Sequence, residues 1–345
     1  MIELSSFYIL TTDGESVLPD SIRLKRATDQ NRSILFYLDA NLCMDITNYF
    51  NNKLPAANPQ FRINVETLIL FCQQHSIEVV PKFGAMELCK ENLQQLNLSK
   101  YQDLVNKITY VFDTPFNKDT QFDKLTFNYY TEVTGTDIEA LEKFFPLLLS
   151  SYISLLKIYV LCKKNNPGKH NVLKNLKLFL HWCNKYLDAS MASEILLAIK
   201  IFGGDSKFRQ MIDLDKKAGF NHILTSLWGT AWDFFHMRMV HFWAINSGVN
   251  YDLYLITRDT NLFTLFKTCQ LYRALSASGS PIVSFVDHDI DIPYKEEFIL
   301  EGIKEILDEF SLKRSINKNL FDQLDINLLY SLKAKLENDM ATLVN

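Results

Sequence analysis

The order of strand-like and helix-like segments restricts the fold of this chain more than any other feature of its sequence. Residues 34–40, ILFYLDA, are typical of a buried strand, and helical patterns at about 42–53 and 64–76 lead to a second strand at 77–82. A helical pattern at 84–96 follows. Strands that alternate with helices predict a parallel sheet with helices on both faces, a three-layer α/β/α arrangement.

This alternation stops at about residue 97 and resumes near residue 221. Between these points nearly every segment has helical periodicity. The predicted order afterwards is helix, strand, helix, strand and two helices, at about 221–246, 252–256, 261–275, 281–286, 294–311 and 319–343. We therefore predict an α/β core in two parts, 1–96 and 221–290, with a mostly helical insertion at 97–220 and C-terminal helices at 291–345.

Composition indicates an ordinary globular protein. The 345 residues are 48% hydrophobic and 22% charged, and the net charge of −4 gives no global sign of a basic nucleic-acid binder. The six cysteines form no CxxC pair, which predicts reduced thiols in the core. Residues 144–162 are apolar but interrupted, so we expect a buried helix there and no membrane span. With no signal peptide in the N-terminal sequence, we expect a cytoplasmic protein.

Positive charge is concentrated in the predicted insertion. Between Lys143 and Tyr186 there is no Asp or Glu. Such a run is often only a solvated helix face, but lysines without neighbouring acids can also displace counterions from a phosphate backbone. Both interpretations stay open. In the second, a lysine track consists of Lys157, Lys163, Lys164, Lys169, Lys174 and Lys177.

Four carboxylates occupy positions from which the fold could bring them together. Asp39 ends the first strand, Glu87 lies in the first turn of the helix after the second strand, and Asp259 follows the strand that begins near residue 252. The carboxyl ends of parallel strands share one edge of a sheet. Asp233 lies in an apolar, aromatic helix, where burial is costly unless the carboxylate is paired, protonated or bound to a cation. A structural ion pair with Arg238 is the alternative.

Such a set of residues favours a particular chemistry. Carboxylate oxygens without His or Cys ligands suit Mg²⁺ or Mn²⁺ rather than zinc. These ions lower the pKa of a bound water and neutralise charge on a phosphodiester, so the pattern predicts hydrolysis of a nucleic-acid backbone. His236 and His241 are five residues apart, which favours packed or surface histidines over zinc ligands. The nearby Trp228, Trp232, Phe235 and Trp243 are predicted to be core residues first.

Four short motifs, taken together, resemble the PIN-domain nucleases. They are YLDAN, VVPKFGAMEL, the helix that begins AWDFF, and LITRDTNL. In this order they supply Asp39 with Asn41, Pro81 with Glu87, Asp233, and Thr257 with Asp259. The resemblance covers roughly 33–92 and 221–290, which is under half of the chain. Each motif is degenerate by itself, and their order carries the resemblance.

The resemblance implies a sheet of strand order 3-2-1-4-5, an acidic pocket at its carboxyl edge, Mg²⁺ or Mn²⁺, and endonucleolytic cleavage, most often of RNA. It implies that Asn41 and Thr257 support the site or contact the substrate, and we group Arg258 with them. The sequence shows no clear third strand between Glu87 and Asp233. The one place for it is near 107–113, and Asp113 would then be another acid to consider. Asp45 and Asp287 are lesser candidates.

The long insertion departs from the compact toxin-type members of the family, which suggests that it selects the substrate. The alternative function is a catalytically silent PIN-like module that binds nucleic acid or protein. The long 221–246 helix could also serve a homodimer interface, whereas the sequence does not reveal an inhibitor or antitoxin partner.

Overall fold

A computed structural model describes most of the chain. The described residues are 6–11, 14–54, 59–90, 96–117, 135–187, 191–246, 251–269, 271–275, 283–286, 293, 296–314 and 325–344. The chain divides into two compact units, Met1–Glu139 with His236–Gln270 and Ala140–Phe235 with Leu271–Asn345. The predicted α/β class is confirmed. The predicted four-segment organisation stays a prediction.

Unit one contains a mixed sheet of five strands. These are β1 (Tyr8–Thr11), β2 (Gly14–Ser16), β3 (Ser33–Leu38), β4 (Glu78–Val80) and β5 (Tyr251–Thr257), in the order β2-β1-β5-β3-β4. β3 is parallel to both β4 and β5, whereas β1 is antiparallel to β5 and β2. The three parallel strands therefore meet with their carboxyl ends at one edge.

The central strands are apolar because they lie in the middle of the sheet. β3, with the sequence SILFYL, is buried from its second residue onward, and the last five residues of β5 are buried as well. Near-continuous apolar runs are typical of parallel strands covered on both faces. This pattern explains why both strands were predictable from the sequence.

Helices of unit one connect and cover these strands. They are α1 (Ser21–Asp29), α2 (Ala40–Phe50), α3 (Pro59–Gln74), α4 (Lys82–Cys89), α5 (Leu98–Asp113), α11 (Thr260–Thr268) and the end of α10 (Phe220–Asn246). α2 packs against α3, α4 and α5, while α11 packs against β1 and β2. Asp39 and Asp259 are the N-cap residues of α2 and α11, so each ends a strand and begins a helix.

Unit two is mostly helical. Its elements are α6 (Gly135–Asn165, from Ala140 onward), α7 (Val172–Trp182), a π-helical turn (Cys183–Leu187), α8 (Ala192–Phe202), α9 (Ser206–Met211), the first part of α10, β6 (Leu271–Leu275), β7 (Val283–Val286), α12 (Glu297–Arg314) and α13 (Ile326–Val344). α8 is buried along its whole length and forms part of the core. α7 packs against α12, where a Cβ atom at Gly302 would come within 2.8 Å of Leu173 Cδ1.

Among the described residues, one helix is long and apolar enough to span a bilayer by length and composition. It covers Glu142–Asn165 of α6, and 78% of its most apolar window is buried within the protein. A core helix has the same properties. The six cysteines are free and buried, which confirms the prediction of core thiols.

The predictions about strands hold only in part. Residues 107–113, the one place considered for a third strand, belong to α5. The helix expected at 261–275 ends at Thr268, and Leu271–Leu275 is the strand β6. The predicted strand at 281–286 exists at Val283–Val286 but pairs with β6 in a separate two-stranded sheet. β1 instead occupies the place beside β5, so the sheet is mixed rather than parallel.

Candidate active site

Asp39 lies at the carboxyl end of the central strand β3. Its side chain is 2% exposed, and Oδ1 accepts a hydrogen bond from the Leu42 amide at 2.8 Å. Burial raises the pKa of this carboxyl to about 7, although hydrogen bonds from Thr257 and Leu42 lower it. The negative charge of Glu87 raises it further. Asp39 is therefore a buried acid that titrates near neutral pH.

Asp259 ends the adjacent strand β5 and is tied to Asp39 through one hydroxyl group. The Thr257 hydroxyl donates to Asp39 Oδ2 at 2.5 Å and accepts from the Asp259 amide at 2.9 Å. Asp259 Oδ1 accepts from the amides of Asn261, at 2.6 Å, and Leu262, at 3.1 Å. These contacts fix two carboxylates from distant parts of the chain at one edge of the sheet.

Asn41 completes the link between the two strand ends. Its Nδ2 atom donates to Asp259 Oδ2 at 3.3 Å. Asn41 lies in the first turn of α2, directly after the cap residue Asp39. The structure therefore brings together Asp39, Asn41, Thr257 and Asp259, as predicted for a shared strand edge.

Glu87 reaches the same edge because α4 approaches β3 unusually closely. A Cβ atom at Gly84 would lie 2.6 Å from the Leu38 carbonyl oxygen and 2.7 Å from that of Asp39. Only glycine fits this contact without a shift of the backbone. Glu87 follows three residues later, so it projects from the same side of the helix. Gly84 is part of the motif VVPKFGAMEL, but the sequence alone indicates no role for it.

A buried histidine holds Glu87, a contact that is not among the predictions from the sequence. His236 is 1% exposed; its Nε2 atom lies 2.8 Å from Glu87 Oε2, and its Nδ1 atom lies 2.7 Å from the Tyr37 hydroxyl. Tyr37 is fully buried, and burial together with the charge of Glu87 raises the pKa of its hydroxyl. A polar residue among aromatics in an apolar helix was the available signal. His241 is a packed histidine as predicted, and burial lowers its pKa to about 4.

Asp233, the fourth predicted carboxylate, is half-buried in α10. It belongs to unit two and precedes His236 by three residues, a little under one helical turn. Its membership of the site stays a prediction. The aromatic residues Trp232 and Phe235 on either side are core residues, each 1% exposed.

Arg258 does not pair with its neighbour Asp259. Its guanidinium binds Asp45 through two contacts, Nε to Oδ2 at 2.6 Å and Nη2 to Oδ1 at 3.1 Å. Burial raises the pKa of Asp45 to about 6, while the charge of Arg258 and its hydrogen bonds lower it. Asp45 thus has a structural partner. Asp113 is exposed at the end of α5, and Asp287 lies outside the described residues.

The lysine track of unit two is only partly available to a ligand. Lys157 is half-buried over the Trp182 ring, and burial lowers its pKa. Lys163 donates to the Leu214 carbonyl at 2.9 Å, and Lys169 pairs with Glu296. The remaining members are exposed, namely Lys164, Lys174 and Lys177.

The donor chemistry of the strand edge suits a hard divalent cation. Asp39, Glu87 and Asp259 supply carboxylate oxygens, and Asn41 supplies an amide. Within the described ranges no group of three His, Cys, Asp or Glu side chains forms a ready metal cluster. The residues therefore fit Mg²⁺ or Mn²⁺ by type and position, and binding would require their side chains to converge further.

Comparisons with family models, curated proteins and solved structures find no match to this chain. Its function is therefore inferred from the geometry of the strand edge.

Proposed function

We propose that this chain is a metal-dependent endonuclease with a PIN-like core, and that it cleaves RNA. One observation supports this most: the Thr257 hydroxyl binds both Asp39 and Asp259, at the ends of two adjacent parallel strands. Among the described residues, Asp39, Glu87 and Asp259 form no ion pair with Lys or Arg. Carboxylates grouped without a Lys or Arg partner favour a bound cation.

The order of the parallel strands also supports a PIN-like core. β4, β3 and β5 are adjacent in this order, which corresponds to strands 2, 1 and 4 of the sheet that the sequence resemblance implies. The mixed edge formed by β1 and β2 departs from that scheme.

Asp39, Glu87 and Asp259 would hold the Mg²⁺ or Mn²⁺ ion. Once bound, such an ion lowers the pKa of a water molecule and neutralises charge on the phosphodiester. Thr257 fixes the Asp39 carboxylate through Oδ2, and Asn41 holds Oδ2 of Asp259. These two residues orient the ligands, as hydrogen-bonded neighbours of metal ligands generally do.

Basic side chains would bind the substrate backbone. Arg258 keeps 41% of its side chain exposed while it pairs with Asp45, so its guanidinium can also contact a phosphate beside the carboxylates. In unit two, the exposed Lys164, Lys174 and Lys177 are the members of the lysine track suited to this role.

The experiment that tests this function compares cleavage of labelled single-stranded RNA and DNA in Mg²⁺, Mn²⁺ or EDTA. We expect metal-dependent cleavage of RNA by the wild type and its loss in Asp39→Asn. Asp113→Asn, a change of the same type at an exposed acid of unit one, should keep the activity. Equal cleavage by wild type and Asp39→Asn, or cleavage that EDTA does not reduce, would contradict the proposal.

A catalytically silent nucleic-acid or protein-binding module is the second candidate. The lack of a ready three-residue metal cluster in the described part of the chain favours it. In this case the wild type would cleave neither substrate, and calorimetry would detect no Mn²⁺ binding.

A further inference from the structure

We propose that neutral His236 is a positioning residue, fixed in one tautomer by Tyr37, which holds Glu87 Oε2 and leaves Oε1 to the metal or its water. This inference rests on the proposed metal-dependent activity and gives a role to a residue for which the sequence motifs suggest none. It connects Tyr37 on β3, His236 on α10 and Glu87 on α4, all within unit one.

The hydrogen-bond partners of Tyr37 and His236 determine which imidazole nitrogen of His236 carries the proton. Tyr37 is fully buried, and its hydroxyl has one hydrogen-bond partner in the described part of the chain, His236 Nδ1 at 2.7 Å. A buried hydroxyl hydrogen without an acceptor is costly, so Tyr37 donates and Nδ1 accepts. The imidazole proton is then on Nε2, which donates to Glu87 Oε2 at 2.8 Å. A doubly protonated ring would leave the hydrogen of Tyr37 without this acceptor.

Packing keeps the histidine in this orientation. His236 is 1% exposed, and its ring contacts Tyr37 edge-on, with centroids 5.6 Å apart. Trp243, on the same helix, contacts both Tyr37 and Phe83 of α4. Tyr37, which contacts the histidine ring, is therefore itself packed against aromatic side chains of α10 and α4.

The consequence concerns the two oxygens of Glu87. Oε2 accepts from His236, whereas Oε1 has no hydrogen-bond partner among the described residues. A carboxylate held by one oxygen presents the other in a defined direction, as histidine and carboxylate partners of metal ligands do elsewhere. Gly84 brings α4 against the backbone of Asp39, so this direction is set relative to Asp39.

Two substitutions of similar size separate positioning from simple packing. In His236→Gln the amide nitrogen lies three bonds from Cβ, like Nε2, and can still donate to Glu87. In His236→Asn the amide lies two bonds from Cβ, like Nδ1, and reaches Tyr37 only. We expect His236→Asn to lower Mn²⁺ affinity by about 10- to 100-fold and His236→Gln to recover most of this loss. His75→Asn, at an exposed histidine before β4, is the matched control.

A spectroscopic measurement tests the tautomer without relying on activity. In ¹⁵N-histidine-labelled full-length protein, the signal that disappears in His236→Gln should show a protonated Nε2 and an unprotonated Nδ1. Tyr37→Phe should remove this tautomer preference. A protonated Nδ1 in the wild type would overturn the inference.

Failure of the proposed function and failure of the positioning role of His236 give different experimental results. A wild type that binds no Mn²⁺ but shows the expected tautomer would overturn the proposed function, and the positioning role with it. A wild type whose Mn²⁺ affinity is unchanged by His236→Asn would overturn the positioning role alone. Thermal unfolding of each variant, followed by circular dichroism, identifies any loss of affinity that results from misfolding.

Discussion

At the scale of single residues, the central feature is a buried carboxyl at the end of the middle strand of the sheet. Asp39 caps α2 and accepts two hydrogen bonds, yet burial still raises its pKa to about 7. Hydrogen bonds therefore offset only part of the cost of removing this charge from water. A bound cation would offset the remainder, so stability and metal binding are linked at this residue.

We expect the raised pKa of Asp39 to make the stability of the protein depend on pH. Because its pKa rises from 3.8 in the unfolded chain to about 7 in the folded protein, the folded state keeps a proton that the unfolded state releases. Wild-type stability in EDTA should therefore fall as the pH rises from 4 to 8. Asp39→Asn should lack the part of this decrease that Asp39 causes, while the part caused by Asp45 remains. The stability of the variant relative to wild type should therefore improve by up to roughly 4 kcal/mol over the range.

Urea unfolding at pH 4, 6 and 8 measures this effect. Asp20→Asn is the matched control, because Asp20 is an exposed N-cap residue that accepts a similar hydrogen bond from the Arg23 amide. Parallel stability curves for wild type and Asp39→Asn would contradict the raised pKa. Added Mn²⁺ should stabilise the wild type at pH 8 more than it stabilises Asp39→Asn.

Thr257 should be sensitive to loss of its hydroxyl group. Thr257→Val keeps the shape but removes the group that binds both Asp39 Oδ2 and the Asp259 amide. We expect a loss of about 1–3 kcal/mol in the free energy of unfolding, and Thr257→Ser should restore part of it. Thr264→Val is the control, since this buried hydroxyl has no hydrogen-bond partner in the described structure. Equal effects at the two threonines would show that the hydroxyl bridge is unimportant.

At the scale of elements, the contact of α4 with β3 depends on one missing side chain. Gly84→Ala places Cβ 2.6–2.7 Å from backbone atoms of Leu38 and Asp39, in a central strand that cannot move easily. We expect a destabilisation of about 1–3 kcal/mol and weaker Mn²⁺ binding, because Glu87 moves with the helix. Urea unfolding and calorimetry measure the two effects.

Gly229→Ala provides the comparison at this scale. Gly229 lies inside α10, and a Cβ atom there would meet nothing within 4 Å. This change should stabilise the protein by up to about 1 kcal/mol through helix propensity. If both substitutions changed the free energy of unfolding in the same direction, the close approach of α4 to β3 would not be the cause of the Gly84→Ala effect.

The elements that were predicted correctly are those with local signals. β3 and β5 are short apolar runs that end in an acid, and each acid caps the next helix, so the strand edge with Asp39 and Asp259 was visible in the sequence. The errors concern pairing. Nothing local in Tyr8–Thr11 indicates that it pairs with β5, and nothing local in Val283–Val286 indicates that it does not. Tyr37, Gly84 and His236 were missed because their contacts join distant segments.

At the scale of the whole molecule, the question is how charge in unit two contributes to substrate binding. The net charge of the chain is −4, so any attraction to nucleic acid must come from local groups. Lys174 and Lys177 lie three residues apart on α7, and both are exposed. Residues at this spacing share one face of a helix.

We expect the double substitution Lys174→Gln and Lys177→Gln to weaken RNA binding in a salt-dependent manner. Each phosphate contact contributes about 0.7 to the slope of log K against log salt for a single strand, so the slope should decrease by about 1.4. Fluorescence anisotropy at several salt concentrations measures it. Lys217→Gln with Lys304→Gln, also exposed in unit two, removes the same charge elsewhere. Identical slopes for the two double variants would show that Lys174 and Lys177 are a solvated helix face with no specific part in RNA binding.

The position of β5 has a consequence for the synthesis of this protein. β5 lies between β1 and β3 in the sheet, yet its residues follow β3 in the chain by more than two hundred positions. A ribosome therefore releases Asp39 and Glu87 long before it releases Thr257 and Asp259. Until then the growing chain lacks the strand that joins both sides of the sheet. Pairing over such sequence distances is slow, so in a nascent or truncated chain that lacks β5, Asp39 and Asp259 cannot meet at one strand edge.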